Sequence, residues 1–487
     1  MLNLAVRNTR KLIREMSKEE NVRIGRFFTK RETARQMAEA FTFVSRYSVR
    51  VLDAGAGTGI LSAALIEAIC GRGGVTEVYL TCYENDPLYL PRLRDNLERI
   101  RRRARHDYRV KVRVNILEDD FLLSPHPEDE KYDYIIMNPP RDLTDRGDLK
   151  ALYPDLFTAA TLPLPCLFTR MAAGLLAPDG QLVTVLPLSS ATAVSLAAFR
   201  RALFRLATPE QIFLYARPKD TSPLRPLLCL KLREGGIPPE SVRLHISTDD
   251  GTPEQTVSLP PLPYGSVVRE EDASLLLIRD QNELSTLVHI QSLPRTFASF
   301  GLRVHTGLTL ESRYPELLRD HPGDGAIPLL HPKCLRDGMV QFPLPGVPKQ
   351  YLLPRVSSLV QPAKNILLLK RVPAKSDKRR LTCAALLKGA IPPYFSTSNK
   401  LNYIDADGDE QMDPGFLFGL LGFLSSAPVD AYIRLVSKSG QINARELESL
   451  PLPTAEQLRQ IGGRLMAIRC YKPDYCDKVV HEILGIS

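Results

Sequence analysis

The sequence predicts an α/β fold, a doubly wound sheet domain followed by a second domain of the α+β class. Three observations predict it. Short β-like apolar runs alternate with helical stretches between residues 49 and 232. A glycine loop stands between the first run and the first helix. The periodicity then fades into a stretch punctuated by Gly235, Gly236, Pro238, Pro239, Pro260, Pro261 and Pro263.

In order, the strand-like runs are Val49–Asp53, Val78–Glu84, Val110–Ile116, Tyr134–Asn138, Gln181–Pro187, Ile212–Ala216 and Leu227–Leu232. Helix-like sequence fills most of the gaps, as in Leu61–Ile69, Leu88–Arg103, Phe157–Leu176 and Leu196–Leu206. Such alternation reads as a parallel sheet with helices on both faces. The domain boundary is expected between residues 235 and 290, giving domains 1–275 and 276–487. The second is irregular and proline-rich, with a helical tail near Ala455–Leu484; no internal repeat or low-complexity block occurs.

The 487 residues exceed one ordinary core, and the 44% hydrophobic and 24% charged content is that of a globular protein. A formal charge of +9 favours polyanionic partners without selecting one. The opening MLNLAVRNTRKLIREM is neither a signal peptide nor a membrane span, and no later run reaches about 18 uninterrupted apolar residues, so no membrane is expected. Eight scattered cysteines with no CxxC pair argue against a zinc site and a disulfide framework, and fit a reducing cytoplasm; no metal is expected.

The strongest local signal is Val51-Leu52-Asp53-Ala54-Gly55-Ala56-Gly57-Thr58-Gly59. Glycines at a strand end let the backbone approach a ligand at the sheet's carboxyl edge, although nucleotide enzymes of many kinds use such loops. The second strand ends in Tyr83-Glu84-Asn85-Asp86, where a carboxylate can accept hydrogen bonds from two ribose hydroxyls; an exposed acid at a strand end is the ordinary alternative. After the third strand, Asp119-Asp120-Phe121 suits an adenine ring, with the carboxylate at the amino group and the phenyl over the face. A turn followed by a core Phe fits the same residues. Dinucleotide enzymes remain open at this point.

The fourth strand reads Tyr134-Ile135-Ile136-Met137-Asn138-Pro139-Pro140-Arg141. Two prolines fix the backbone and leave the Asn138 side chain and a proline carbonyl pointing out of the strand end. Both oxygens can accept from an exocyclic –NH2, drawing its nitrogen toward sp3 geometry and exposing the lone pair. Methyl transfer from a sulfonium needs such a nucleophile, held in line and close.

Glycine loop, then Asn-Pro-Pro, then a long C-terminal extension resembles the order in gamma-class N6-adenine DNA methyltransferases of type II restriction–modification systems, whose Rossmann-like domain usually has seven strands. The resemblance runs from about Gly25 to Pro453. It implies S-adenosylmethionine as cofactor, duplex DNA as substrate and methylation of an adenine flipped out of the helix. Gly25-Arg26-Phe27-Phe28-Thr29-Lys30 looks like the family's Phe-Thr-Pro segment, so Phe28 and Thr29 are expected near the methionine carboxylate. Asp53, with Gly55 and Gly57 beside it, is expected at the methionine amino end, Glu84 at the ribose, and Asp120 and Phe121 at the cofactor's adenine. Asn138 and the Pro139 carbonyl would hold the target amino group, with Pro140 and Arg141 completing the motif. Leu152-Tyr153 to Phe157 resembles the Leu-Tyr-x-x-Phe helix that usually follows.

Two positions depart from the pattern. Lys30 replaces the usual proline. Arg141 stands where the family carries an aromatic that stacks on the flipped base; a guanidinium plane also stacks on bases and adds a charge near the phosphates. A second base-facing aromatic is expected from Phe213 or Tyr215.

In the second domain, Lys370, Arg371, Lys375, Lys378, Arg379 and Arg380 place six cations in eleven residues beside one acid, Asp377. The stretch resembles recognition regions of type II adenine methyltransferases and is expected to clamp phosphates. Asn399–Ile404, Ser439–Asn443 and Leu450–Pro453 fit the same family, and their Asn, Gln and Lys side chains suit base edges. The seven arginines from Arg92 to Arg105 read instead as the solvated face of an outer helix.

The expected function is therefore adenine-specific DNA methylation. Asn before Pro-Pro and the large C-terminal domain favour it over N4-cytosine, RNA adenine or a protein amide. A DNA-binding specificity component that retains fold and cofactor without turnover is the reading from another class, and Arg141 is its support. No nuclease motif follows residue 290 and little sequence precedes Gly25, so a separate cognate restriction endonuclease is the partner this implies.

Overall fold

The computed structural model describes residues 1–15, 29–43, 46–157, 161–215, 227–247, 256–278, 280–323, 325–373, 377–408, 410–436 and 441–486. They form two units, Met1–Arg279 and Asp280–Ser487.

The first unit is built on strands β1 (Ser48–Ala54), β2 (Glu77–Tyr83), β3 (Lys111–Leu117), β4 (Tyr132–Met137), β5 (Leu176–Pro187), β6 (Ala207–Tyr215), β7 (Leu227–Glu234), β8 (Ser241–Ser247) and β9 (Thr256–Ser258). Its main helices are α1 (Leu2–Glu15), α2 (Arg31–Glu39), α3 (Ile60–Arg72), α4 (Leu90–Tyr108), α5 (Gly147–Leu152), α6 (Leu164–Gly174) and α7 (Ala197–Phe204). Across the sheet the order is β9-β8-β6-β7-β5-β4-β1-β2-β3. Helices α1 to α4 share a core with one side of it, through Val49, Val51, Leu80, Tyr134 and Ile136. The alternate residues Leu52, Ile135 and Leu182 are also fully buried, so the sheet is covered on both faces, as a Rossmann-like fold requires. Chain order reverses between β1 and β4, opening a crevice at their carboxyl ends, the usual place for a ligand in an open α/β sheet.

All seven predicted runs are strands, and β8 and β9 extend the sheet beyond them. The sheet is mixed, not parallel throughout: β7 runs antiparallel to both β5 and β6. Apolar alternation reports burial and carries no information on strand direction. The helix expected over Phe157–Leu176 begins at Leu164, because Pro163 caps it and Leu162–Pro163 pairs with Leu143–Thr144. Nor is Leu152-Tyr153 to Phe157 a helix. Helix α5 stops at Leu152, and Pro154 cannot extend it. Most arginines of α4 are solvated and paired with acids, among them Arg99 with Asp95 and Arg103 with Asp107 one turn away.

The second unit contains β10 (Leu302–Thr306), β11 (Ile327–Leu330), β12 (Ile366–Lys370), β13 (Cys383–Leu386), β14 (Tyr394–Thr397) and β15 (Leu401–Ala406), with helices α8 (Gln281–Gln291), α9 (Pro414–Leu424), α10 (Ala427–Val436), α11 (Ala444–Glu448), α12 (Ala455–Ile468) and α13 (Pro473–Leu484). One sheet runs β10-β15-β12-β13 and continues into two short strands; another centres on β11 and β14. The expected helical tail is two helices, separated where Arg469 adopts a left-handed conformation ahead of Pro473. Helices α9 and α10 were not expected. The side chains of α9 from Phe416 to Leu424 are all buried, which erases the amphipathic period that reveals a helix. Among the described residues no single helix is long and apolar enough to cross a membrane.

Candidate active site

Strand β1 delivers Asp53 to the crevice, and the chain then turns through Gly55, Gly57 and Gly59 at φ 80°, 54° and 79° into α3. These left-handed conformations are strained for residues with a Cβ. The amides of Gly55 and Ala56 donate to the Tyr83 carbonyl at 3.0 and 2.9 Å, tying the loop to the end of β2. Glu84 finishes the tie: Oε2 accepts from Gly57 N at 2.6 Å and Oε1 from Asp86 N at 2.8 Å. Burial raises its carboxyl above the usual range.

Asp53 is fully buried. Oδ2 accepts from Ser62 N at 3.0 Å and Ser62 Oγ at 2.6 Å, whereas Oδ1 has no hydrogen-bond partner among the described residues. Burial pushes its pKa up to about 7 against the opposing Ser62 bonds, and the Glu84 charge adds to the rise.

Strand β4 lies beside β1 with Ile136 opposite Asp53, so Asn138 emerges next to the glycine loop. Asn138 Nδ2 donates to Thr29 Oγ1 at 3.0 Å, which fixes the amide's orientation and makes its Oδ1 the acceptor end. The structure thus joins two predicted site residues 109 positions apart. Phe28 lies outside the described residues. Pro139 is buried and Pro140 partly so. Arg141 is also partly buried; burial alone holds its guanidinium below the usual value, and no acid among the described residues pairs with it.

The adenine-side residues are less open. Asp120 Oδ1 caps the turn by accepting from Leu122 N at 3.0 Å, and Oδ2 pairs with Arg146 Nη1 at 3.2 Å. Phe121 is 2% exposed, with the rings of Tyr83, His126 and Phe168 at 5.2, 5.1 and 5.3 Å. Its phenyl forms part of a buried aromatic wall. Phe213 and Tyr215 also pack into the core; Phe213 stacks on His245 at 4.5 Å and is not displayed to a base.

In the second unit, Lys370 Nζ is held by both Asp377 oxygens at 2.9 and 3.1 Å, and Arg379 pairs with Asp477 at 2.6 Å. The backbone N–H of Arg380 donates to Asp430 at 2.5 Å, and Arg371 donates to the Asn399 carbonyl at 3.3 Å. Lys378 is exposed, and Lys375 lies outside the described residues. Several cations expected to clamp phosphates are thus tied into the fold; counting charges along the sequence does not show acids such as Asp477 that the fold brings back to them.

No family model matches the sequence. Two curated proteins do. The Type II methyltransferase M.BsuBI of Bacillus subtilis is 24% identical over 459 residues, covering 90% of this chain and 89% of its own length. The Type II methyltransferase M.PstI of Providencia stuartii is 25% identical over 461 residues, covering 91% and 89%. This chain is similar to Type II methyltransferases. Among solved structures, the type IIG restriction endonuclease BpuSI superposes with a TM-score of 0.44 at 14% identity, covering 89% of this chain and 59% of its own.

Both similarities to the Type II methyltransferases extend across most of the chain. Some supports of the site carry no sequence signal at all. Thr9 of α1 meets Thr58 of the glycine loop at 2.6 Å between hydroxyls, both buried, and Asn96 of α4 donates to the Thr58 carbonyl at 2.8 Å. A threonine and an asparagine inside helical sequence look like surface residues until packing buries them.

Proposed function

We propose that this chain is an S-adenosylmethionine-dependent DNA methyltransferase that modifies the N6 amino group of an adenine flipped from the duplex. The observation that carries the reading is the emergence of Asn138-Pro139-Pro140 from β4 directly beside the glycine loop of β1. Asp53 Oδ1, without a hydrogen-bond partner among the described residues, fits the cofactor, because a buried acceptor at a glycine loop suits the ammonium of a methionine moiety. Thr29 would meet the methionine carboxylate, Glu84 the ribose, and Asp120 and the aromatic wall of Phe121 the adenine. Both Asp120 oxygens have partners, so the Arg146 pair opens or shares the carboxylate when an amino group arrives. When bound, S-adenosylmethionine supplies an electrophilic methyl group on a sulfonium.

Asn138 Oδ1 and the Pro139 carbonyl accept from the two N–H bonds of the target amino group and expose its lone pair to that methyl. Thr29 holds the Asn138 amide in the orientation this needs. Arg141, which pairs with no acid among the described residues, stacks its guanidinium on the extruded base.

Asn138→Ala tests the reading. Methyl transfer to unmodified duplex DNA should fall by about a hundred- to a thousandfold, the scale for removing a group that acts on the reacting atoms. Affinity for S-adenosylmethionine by calorimetry should stay within about twofold of wild type. Near-normal turnover would remove β4 from the catalytic role, and product mapping would show whether the methyl sits on adenine or elsewhere.

A further inference from the structure

The turn Ser398–Lys400 links β14 to β15 and is fixed from several sides. Ser398 N donates to the Leu330 carbonyl at 2.9 Å, Asn399 N to the Thr309 carbonyl at 2.8 Å, and Leu401 N closes the turn on Ser398 O at 2.9 Å. Arg371 N donates to the Lys400 carbonyl at 2.9 Å, and its guanidinium to the Asn399 carbonyl. On this rigid support the Lys400 side chain is 59% exposed, with its ammonium 3.5 Å from Glu311 Oε2. The other oxygen, Glu311 Oε1, accepts from Ser398 Oγ at 2.6 Å and lies 3.4 Å from His331 Nδ1.

We infer that Glu311 and Lys400 together read a G·C pair in the major groove of DNA. The inference rests on the proposed DNA substrate. An exposed Lys–Glu pair is ordinarily a weak surface contact between two mobile chains. Here the acid is anchored at one oxygen, and the other points a charged acceptor beside a mobile donor. Contacts with His331 and Ser398 hold the Glu311 carboxyl down at about 2, so it stays ionised. Guanine offers N7 and O6 acceptors in the major groove and cytosine offers its N4 amino donor; a lysine and a glutamate side by side match that edge. A phosphate would also attract Lys400, but the Glu311 carboxylate would repel it. The neighbouring Lys370 and Arg379 are already paired with acids.

The test selects duplexes with a randomised centre by binding to the full chain, then sequences the retained pool for wild type, Lys400→Met and Glu311→Gln. Wild type should retain a consensus containing at least one G·C position. Lys400→Met should lose preference at one such position by at least about fivefold, the lower end for one base contact. Glu311→Gln should relax the same position. The salt dependence of binding to a non-cognate duplex should match wild type in Lys400→Met. An unchanged consensus with a log–log slope lower by about 0.9 would make Lys400 a phosphate contact and overturn the inference. Relaxation at an A·T position, or a wild-type pool without consensus, would overturn it too. Methyl transfer is measured on the same samples: a wild type that selects its site but transfers no methyl group defeats the proposed activity alone.

Discussion

Asp53 places its carboxyl where water does not reach, with one oxygen bonded to Ser62 and the other to nothing among the described residues. Its pKa rises from the ordinary 3.8 to about 7 in the folded chain. The sign follows from linkage. Below about pH 4 both folded and unfolded chains are protonated and the group has no effect. As pH rises toward 7 the unfolded chain releases the proton that the folded chain retains, so stability falls; above 7 both are ionised and the loss is complete. Asp53→Asn should therefore gain melting temperature over wild type as pH rises from 4 to 7, with the gap level above 7. Wild-type affinity for S-adenosylmethionine should weaken as pH drops below 7, because a protonated carboxyl no longer attracts an ammonium. Parallel melting profiles for the two proteins between pH 4 and 8 would show that Asp53 carries no such burden.

Between elements, the backbones of α9 and α12 cross at very close range. A Cβ on Gly419 would lie 1.8 Å from the Leu458 carbonyl oxygen, and one on Gly462 would lie 1.8 Å from that of Gly415. Backbone meets backbone there, so neither helix can yield by turning a side chain. Gly419→Ala should destabilise the second unit by about 1–3 kcal/mol, the overpacking cost exceeding the helix-propensity gain of about 1 kcal/mol. Gly463 is its control: it is next to Gly462 on α12, but a Cβ there meets nothing within 4 Å. Gly463→Ala should instead stabilise by about 1 kcal/mol. Urea unfolding monitored by circular dichroism measures both, and equal shifts of the same sign would refute this packing. The N-terminal α1 works at the same scale, since its Thr9 steadies the glycine loop through Thr58.

Across the whole molecule, the charge of +9 belongs partly to folding and partly to the surface. Arg379 spans from the strand region to Asp477 on α13, whose other oxygen accepts from Ala427 N at the start of α10. Lys378, one residue earlier, is exposed. Arg379→Ala should lower stability by about 1–3 kcal/mol, the range for a hydrogen-bonded charged group, with little effect on the salt slope of DNA binding. Lys378→Ala should leave melting unchanged and reduce that slope by about 0.9, one phosphate's share. Reversed results would restore Arg379 to the surface role that sequence alone assigned it.

The sequence by itself determined the strands and the order of the site motifs. Residues such as Val51, Leu52, Ile135 and Ile136 are apolar because a covered sheet must bury them, and that demand is local. The glycine loop and Asn-Pro-Pro are legible for the same reason: their backbone needs are met by neighbours in the chain. What only the tertiary structure decided depends on distant residues. The antiparallel β7, the buried helix α9, the Thr29–Asn138 bond and the Phe121 wall all arise from contacts without a periodic signature. Whether a basic residue is paired or presented is decided in the same way. Arg379 and Lys378 are adjacent in sequence, yet Asp477, 98 positions beyond Arg379, neutralises one and leaves the other in solvent, because charge pairing follows separation in space and the chain alone does not specify it.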